Sequence, residues 1–169
     1  MWDRIDFEPV FFAPFVSSAM KIEPEWIDDE GHVSMAYYNV LFDRAFAEAL
    51  ALLGLGPQYV RARGFSFFTA EAHMRYLRTL PAEGEVRVTM RLIDYDAKRL
   101  HLFLSLHHGT EGWVAATCEQ MTLQIDRASQ RAAPFADDVL ERVAGMRSVH
   151  AALPQPDGIG RSIGLDARS

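Results

Sequence analysis

Trp26-Ile27-Asp28-Asp29-Glu30-Gly31-His32-Val33-Ser34-Met35-Ala36-Tyr37-Tyr38 decides the reading of the fold, because its acidic turn separates two differently patterned segments. Before the turn, Met20 to Ile27 reads as a strand. After it, Val33 to Leu53 carries only Ser34, Asn39, Asp43, Arg44 and Glu48 as clearly polar residues. On a 3.6-residue period these do not gather on one wide face, so the spacing predicts a helix that is apolar almost all round and buried on most sides. Gly54, Gly56 and Pro57 stop it, and Gln58 to Arg63 is expected to form a short turn or helix.

Downstream the period changes to two. Phe68, Ala70, Ala72, Met74 and Tyr76 alternate with Glu71, His73 and Arg75 in the strand read from Phe65 to Leu77. After a turn at Pro81 and Gly84, Val86, Val88, Met90 and Leu92 alternate with Arg87, Thr89 and Arg91. Leu100, Leu102, Leu104 and Leu106 then alternate with His101, Phe103, Ser105 and His107. Trp113 to Asp126 reads as the last long strand, with Trp113, Ala115, Thr117, Met121, Leu123 and Ile125 on one side. Ala136 to Met146 suits a helix. One strand, a long buried helix and four meandering strands predict an α+β domain, with an antiparallel sheet wrapped around a central helix. Its uncovered edges lead us to expect a homodimer or a dimer of dimers. The expected organisation is one domain over 1–150 and a Pro/Gly-rich tail over 151–169.

Composition narrows the function classes. With 169 residues and 49% hydrophobic content the chain supports a real core, and a formal charge of −6 without a basic stripe argues against nucleic acid. The single Cys118 forms no internal disulfide, no Cys/His cluster has zinc spacing, and no metal is expected; a reducing cytoplasm fits. Pro9 and Pro14 break up Phe11, Phe12, Phe15 and Val16, so no signal peptide is read. Asp43, Arg44 and Glu48 argue against a membrane span for the most apolar stretch.

The quoted stretch also carries the chemistry. It sets the carboxylate of Asp28 beside a helix start, where backbone N–H groups around Gly31, His32 and Val33 are expected to point outward and polarise a carbonyl. In a well-ordered site one such donor contributes about 3 kcal/mol to an oxyanionic transition state. Asp28 then attacks the carbonyl directly or deprotonates a water. The plainer reading is that Asp28 or Asp29 caps the helix and His32 is a polar first-turn residue. Glu119 falls in phase with Thr117 and Met121, so it is expected to have a partner or a raised pKa. It serves as a second acid, a counter-charge to a cationic acyl group together with Glu71, or a structural ion pair. His73 is expected near Glu71.

Asp28-x-x-Gly31-His32-Val33 followed by Tyr38 resembles the signature that opens the central helix of the 4-hydroxybenzoyl-CoA thioesterase-like hot-dog enzymes. Glu71-x-His73-x-x-Tyr76-Leu77, Asp96-x-Lys98-Arg99-Leu100-His101 and Ala116-Thr117-Cys118-Glu119-Gln120-Met121 resemble the betainyl-CoA thioesterase branch, associated with carnitine breakdown. The resemblance spans Met20 to Met146. It implies a hot-dog fold, hydrolysis of a small acyl-CoA to free acid and CoA, and Asp28 as the catalytic carboxylate, with backbone amides at the helix start as the oxyanion hole. Ser34-Met35 departs from the family's usual Asn at this point, which removes any role for that side chain but leaves the backbone argument intact.

A betainyl group carries a trimethylammonium, which aromatic faces hold at about 2 kcal/mol when desolvated. Trp26, Tyr37, Tyr38, Phe67 and Trp113 are the candidate aromatics. For the polyanionic CoA the candidate cations are Arg61, Arg63, Arg75, Arg78, Lys98 and Arg99. No cofactor is expected beyond the CoA of the substrate itself. Two other readings use the same fold: a hydratase or dehydratase pairing His32 with Asp28, and an acyl-CoA-binding module without turnover.

Overall fold

The computed structural model describes residues 10–165; residues 1–9 and 166–169, the outermost parts of the expected domain and tail, lie outside it. Two short strands, β1 (Phe15–Val16) and β2 (Met20–Lys21), and a 3-10 turn (Pro24–Trp26) lead to α1 (Met35–Leu52) and α2 (Pro57–Arg63). Then come β3 (Phe65–Tyr76), β4 (Glu85–Tyr95), β5 (Arg99–His108), β6 (Val114–Asp126), β7 (Arg131–Ala132) and α3 (Asp137–His150). The strands form one antiparallel sheet in the order β1-β4-β5-β6-β3, with β2 on β4 and β7 on β6.

The apolar side of α1 dictates this shape; the other side, along Asn39, Asp43, Arg44, Ala47, Glu48 and Ala51, is exposed, so the helix is not buried on most sides as its composition led us to expect. Leu41, Phe42, Ala45 and Ala49 of α1 are buried in one core with Val88, Met90 and Leu92 of β4 and Leu102, Leu104 and Leu106 of β5. Each such large side chain taken out of water contributes roughly 1.5–3 kcal/mol, which a flat surface helix does not collect. The sheet therefore curls around α1, giving the hot-dog arrangement. Within one chain, the start of α1 lies at the end of the sheet where β3 finishes and β4 starts. Its C-terminus lies about 27 Å away along the axis, given 18 residues at about 1.5 Å each.

Several local expectations change. The strand read over Met20 to Ile27 shrinks to Met20–Lys21, because Pro24 turns the chain into the 3-10 segment. The helix opens at Met35 rather than near Gly31. In β3 a bulge between Thr69 and Glu71 shifts the register, so Phe68, expected beside Met74 and Tyr76, stands 59% exposed. In β6 the side facing α1 is Ala116, Cys118, Gln120, Thr122 and Gln124, the opposite phase to the one read from the sequence. These polar side chains satisfy one another. Cys118 Sγ donates to Gln120 Oε1 at 3.7 Å, Gln120 Nε2 to Thr122 Oγ1 at 3.1 Å, and Gln124 Nε2 to the Pro134 carbonyl at 2.9 Å.

α3 packs against β4, and its last residue, His150, is a buried pin. Its Nδ1 accepts the Leu92 N–H at 2.9 Å and its Nε2 donates to the Phe12 carbonyl at 2.7 Å. The bond from Leu92 requires the neutral ring, because a protonated Nδ1 cannot accept. Burial, offset in part by the bond to Phe12, holds the imidazole below its ordinary value, and Arg91 and Arg147 add to the lowering. A group depressed in this way contributes stability that is fully present above the unfolded value, about 6.5, and is lost as pH falls through it towards the folded value. Urea unfolding of the wild type should therefore weaken between pH 7 and 5. In His150→Gln that part of the pH dependence should vanish, while stability at pH 7 drops by about 1–3 kcal/mol for the disrupted buried bonds.

Candidate functional site

The loop before α1 is closed by its own carboxylate. Asp28 Oδ1 accepts the N–H groups of Glu30 and His32, each at 3.0 Å, and the Asp28 N–H donates to the His32 carbonyl at 2.8 Å. Such a turn suits Asp, whose short side chain reaches the backbone two residues on. Gly31 donates to the Asp28 carbonyl at 3.0 Å and sits at φ +81°, the left-handed region that costs an L side chain strain. The turn is held to the body through Val33, whose N–H donates to the Leu80 carbonyl at 3.4 Å, and Ser34, whose N–H donates to the Trp26 carbonyl at 2.8 Å.

These bonds correct the expected donor set. The amides of Gly31, His32 and Val33 are already satisfied by protein acceptors, because they belong to the turn and not to the helix. The helix's unpaired donors come later. Ser34 is the residue that caps α1, and the N–H groups of Met35 and Ala36 in its first turn have no acceptor among the described residues. Asp28 is exposed, and its Oδ2 likewise has no hydrogen-bond partner among the described residues. Within nine residues of chain, then, stand a carboxylate oxygen and two helix-start donors without protein partners among the described residues.

The other expected residues sort by position. Tyr37 stacks on buried Trp26 at 5.5 Å, and the Arg44 guanidinium lies over the Trp26 ring at 5.2 Å while pairing with Glu23 at 3.0 Å. Trp26 is thus core, with a cation already against it, whereas half-buried Tyr37 stands in α1's first turn. Tyr38 is core as well: its hydroxyl accepts the Leu80 N–H at 3.0 Å and its ring meets Tyr76 edge-on at 5.3 Å.

Glu71, His73 and Glu119 are not brought to Asp28 within the chain. They lie on the outer face of the sheet, away from α1, with His73 directly across from Glu119 and Glu71 across from Met121. Glu119 has partners of its own: His101 Nε2 donates to it at 2.8 Å and the Gly160 N–H at 2.7 Å. The expected loose tail is therefore tied over this face, with Arg91 donating to the Pro154 carbonyl and Gly158 seated against the Arg75 guanidinium.

The cations fare similarly. Arg61, Arg63, Lys98 and Arg99 all sit at the other end of the fold, at α2 and the β4–β5 turn. Arg63 is committed in a two-pronged pair with Asp138 at 2.8 and 2.6 Å, and Arg99 pairs with Asp96 at 2.6 Å. These carboxylates hold the Arg63 and Arg99 guanidiniums above, and are themselves held below, their ordinary values. Cys118 supplies no nucleophile, since burial and then neighbouring Glu119 push its thiol up to about 11.

Known proteins give an independent measure. The family model described as thioesterase-like superfamily matches residues 22–143. The chain is 39% identical over 142 residues to the betainyl-CoA thioesterase of Pseudomonas aeruginosa, covering 84% of this chain and 89% of that one. It is 33% identical over 144 residues to an L-carnitine dehydrogenase/betainyl-CoA thioesterase of Rhizobium meliloti, covering 85% of this chain and 29% of that longer protein. Among solved structures, a Staphylococcus aureus protein in complex with CoA superposes with a TM-score of 0.84 at 27% identity, over 94% of this chain and 99% of that one.

Because Asn keeps an Oδ1 acceptor, Asp28→Asn should leave the thermal midpoint within a degree or so of wild type. Asp28→Ala should cost about 1 kcal/mol of stability, as a lost cap does. Gly31→Ala should cost a further 1–2 kcal/mol or so through its positive φ. Thermal unfolding of the three variants checks the order.

Proposed function

This chain belongs to the thioesterase-like superfamily, and from that premise we propose that it hydrolyses betainyl-CoA to betaine and CoA, with Asp28 as the reacting carboxylate. Thioester hydrolysis is the chemistry of the family. The finer assignment of the acyl group is supported by the 39% identity to the Pseudomonas aeruginosa enzyme, and a setting in carnitine breakdown is supported by the likeness to the L-carnitine dehydrogenase/betainyl-CoA thioesterase of Rhizobium meliloti. One observation carries the assignment of the site: Asp28 spends Oδ1 on the turn, and its Oδ2, like the N–H groups of Met35 and Ala36 at the start of α1, has no partner among the described residues.

In this reading the thioester carbonyl oxygen is received by the N–H groups of Met35 and Ala36, whose alignment with the helix dipole favours the negative charge that grows on it. Oδ2 of Asp28 takes a proton from a water whose oxygen bonds to the carbonyl carbon, the C–S bond breaks, and that proton passes to the CoA thiolate. If Oδ2 attacks directly, the C–S bond breaks to give a mixed anhydride, which a water then hydrolyses to the free acid while its proton goes to the thiolate. Tyr37 offers the nearby aromatic face for a trimethylammonium.

A homodimer fits the same reading. β3 is an unpaired edge, and Phe68 and Tyr76 along it are 59% and 46% exposed, surface that a second copy would cover. Antiparallel pairing of two β3 edges would bring the α2 end of one copy beside the α1 start of the other, giving exposed Arg61 a route to the coenzyme. No helix among the described residues is long and apolar enough to cross a membrane. A buried free thiol and a CoA ester substrate suit the cytoplasm.

Thiol release from a panel of short, long, aromatic and quaternary-ammonium acyl-CoAs tests the proposal. Wild type should turn over betainyl-CoA best. Asp28→Asn should lose at least about a hundredfold in kcat, the scale of a missing general base, while Asp29→Asn stays near wild type. Full activity in Asp28→Asn would reduce Asp28 to a turn former.

A further inference from the structure

The coenzyme's phosphates need a cation at the α1 end of the fold, and the acidic residues there leave few choices. Asp28, Asp29, Glu30, Glu83 and Glu111 all belong to turns at this end. Lys21 stands directly opposite Glu85 across the β2–β4 pairing, and Arg87 donates to the Ser17 carbonyl at 3.4 Å. Arg78, like both, has no ion-pair partner among the described residues, but it alone of the three rests on an aromatic ring. Its guanidinium lies over the Trp113 ring at 4.0 Å, and that indole stacks in turn on His108 at 4.9 Å and is fixed by Nε1 donating to Glu111 Oε2 at 3.1 Å.

We propose that Arg78, mounted on the Trp113–His108 stack, receives a phosphate of the acyl-CoA, an assignment that rests on the reading of the site as a CoA thioesterase. The backbone supports the location. Leu77 and Arg78 donate their N–H groups to the Ala115 carbonyl at 2.8 and 3.0 Å, and two residues later Leu80 is bonded to both Tyr38 and Val33. Arg78 is thus fixed on the short segment that runs past the opening of α1. A guanidinium stacked on one face keeps its N–H edge free in the ring plane, the geometry that matches phosphate oxygens. The stack also fixes a side chain that otherwise loses rotamer freedom on binding, so ordering costs less when the ligand arrives.

Titration calorimetry of the full chain with CoA, dephospho-CoA and pantetheine tests this without turnover. Arg78→Ala should weaken CoA at least roughly tenfold, the scale of one charge-assisted hydrogen bond, and leave pantetheine unchanged. Arg78→Lys should fall between, and Trp113→Leu should lose part of the affinity by unseating the guanidinium. Equal loss on dephospho-CoA places the diphosphate on Arg78, and loss on CoA alone places the 3′-phosphate there; either supports the proposal. CoA affinity indifferent to Arg78, equal loss on pantetheine, or no CoA binding by the wild type would overturn it. Should Arg78→Ala fail to fold, the Lys variant and Trp113→Phe carry the same comparison. Failure of the thioesterase reading is seen separately, as absence of thiol release from every acyl-CoA.

Discussion

Everything in this fold follows from the apolar side of α1, since its other side, along Asn39, Asp43, Arg44, Ala47, Glu48 and Ala51, is exposed. With Leu41, Phe42, Ala45 and Ala49 all buried along α1, the chain must supply apolar surface against that side, and a curled sheet does so with few elements. That requirement fixes where α1 begins relative to β3 and β4. It also fixes the Asp28 turn, which hangs between Trp26, buried in the core, and Leu80, bonded to Tyr38 on the helix itself.

The division of labour inside Asp28 is the next consequence. One oxygen holds the turn together through two backbone N–H groups, and the other has no partner among the described residues. Under the proposed function, structural and chemical roles coexist in one side chain instead of competing. The turn also consumes the amides of Gly31, His32 and Val33, so the donors without acceptors lie further along the chain, at Met35 and Ala36. Positively charged groups are divided in the same way. Arg63 and Arg99 are held by their carboxylates at the far end, while Arg78 rests on an indole near the acidic turns.

Much of the architecture was legible because hydrophobic periodicity is strong where one face is dry. The alternation in β4 and β5 needed no tertiary information. The position of α1 was legible too, but its wet side was not, because Ala36, Ala47 and Ala51 stand there beside Asn39, Asp43 and Glu48 and dilute the polar signal. β6 was not legible in phase: its helix-facing side is filled by Gln120, which bonds to Thr122, and by Gln124, which bonds to Tyr59 and the Pro134 carbonyl, while the outer side carries residues such as Ala115 and Thr117 that are buried as well. A bulge adds a residue without changing composition, so the exposure of Phe68 was equally hidden. At the candidate site, the Asp28-x-x-Gly31-His32 pattern marked a turn that the structure contains. Where that turn ends and the helix begins depends on bonds to Trp26 and Leu80, far apart in sequence. The Arg78 stack was invisible for the same reason, since Arg78 and Trp113 meet only through the pairing of their segments at Ala115.

A crystal structure of the Asp28→Asn variant holding an intact acyl-CoA would examine the central claim most directly. The thioester carbonyl oxygen is predicted to lie about 3 Å from the Met35 or Ala36 nitrogen, with the residue 28 side chain facing the carbonyl carbon. A thioester seated instead at the far end of the sheet, or a carbonyl received by the Gly31–Val33 amides after the turn has opened, would contradict it.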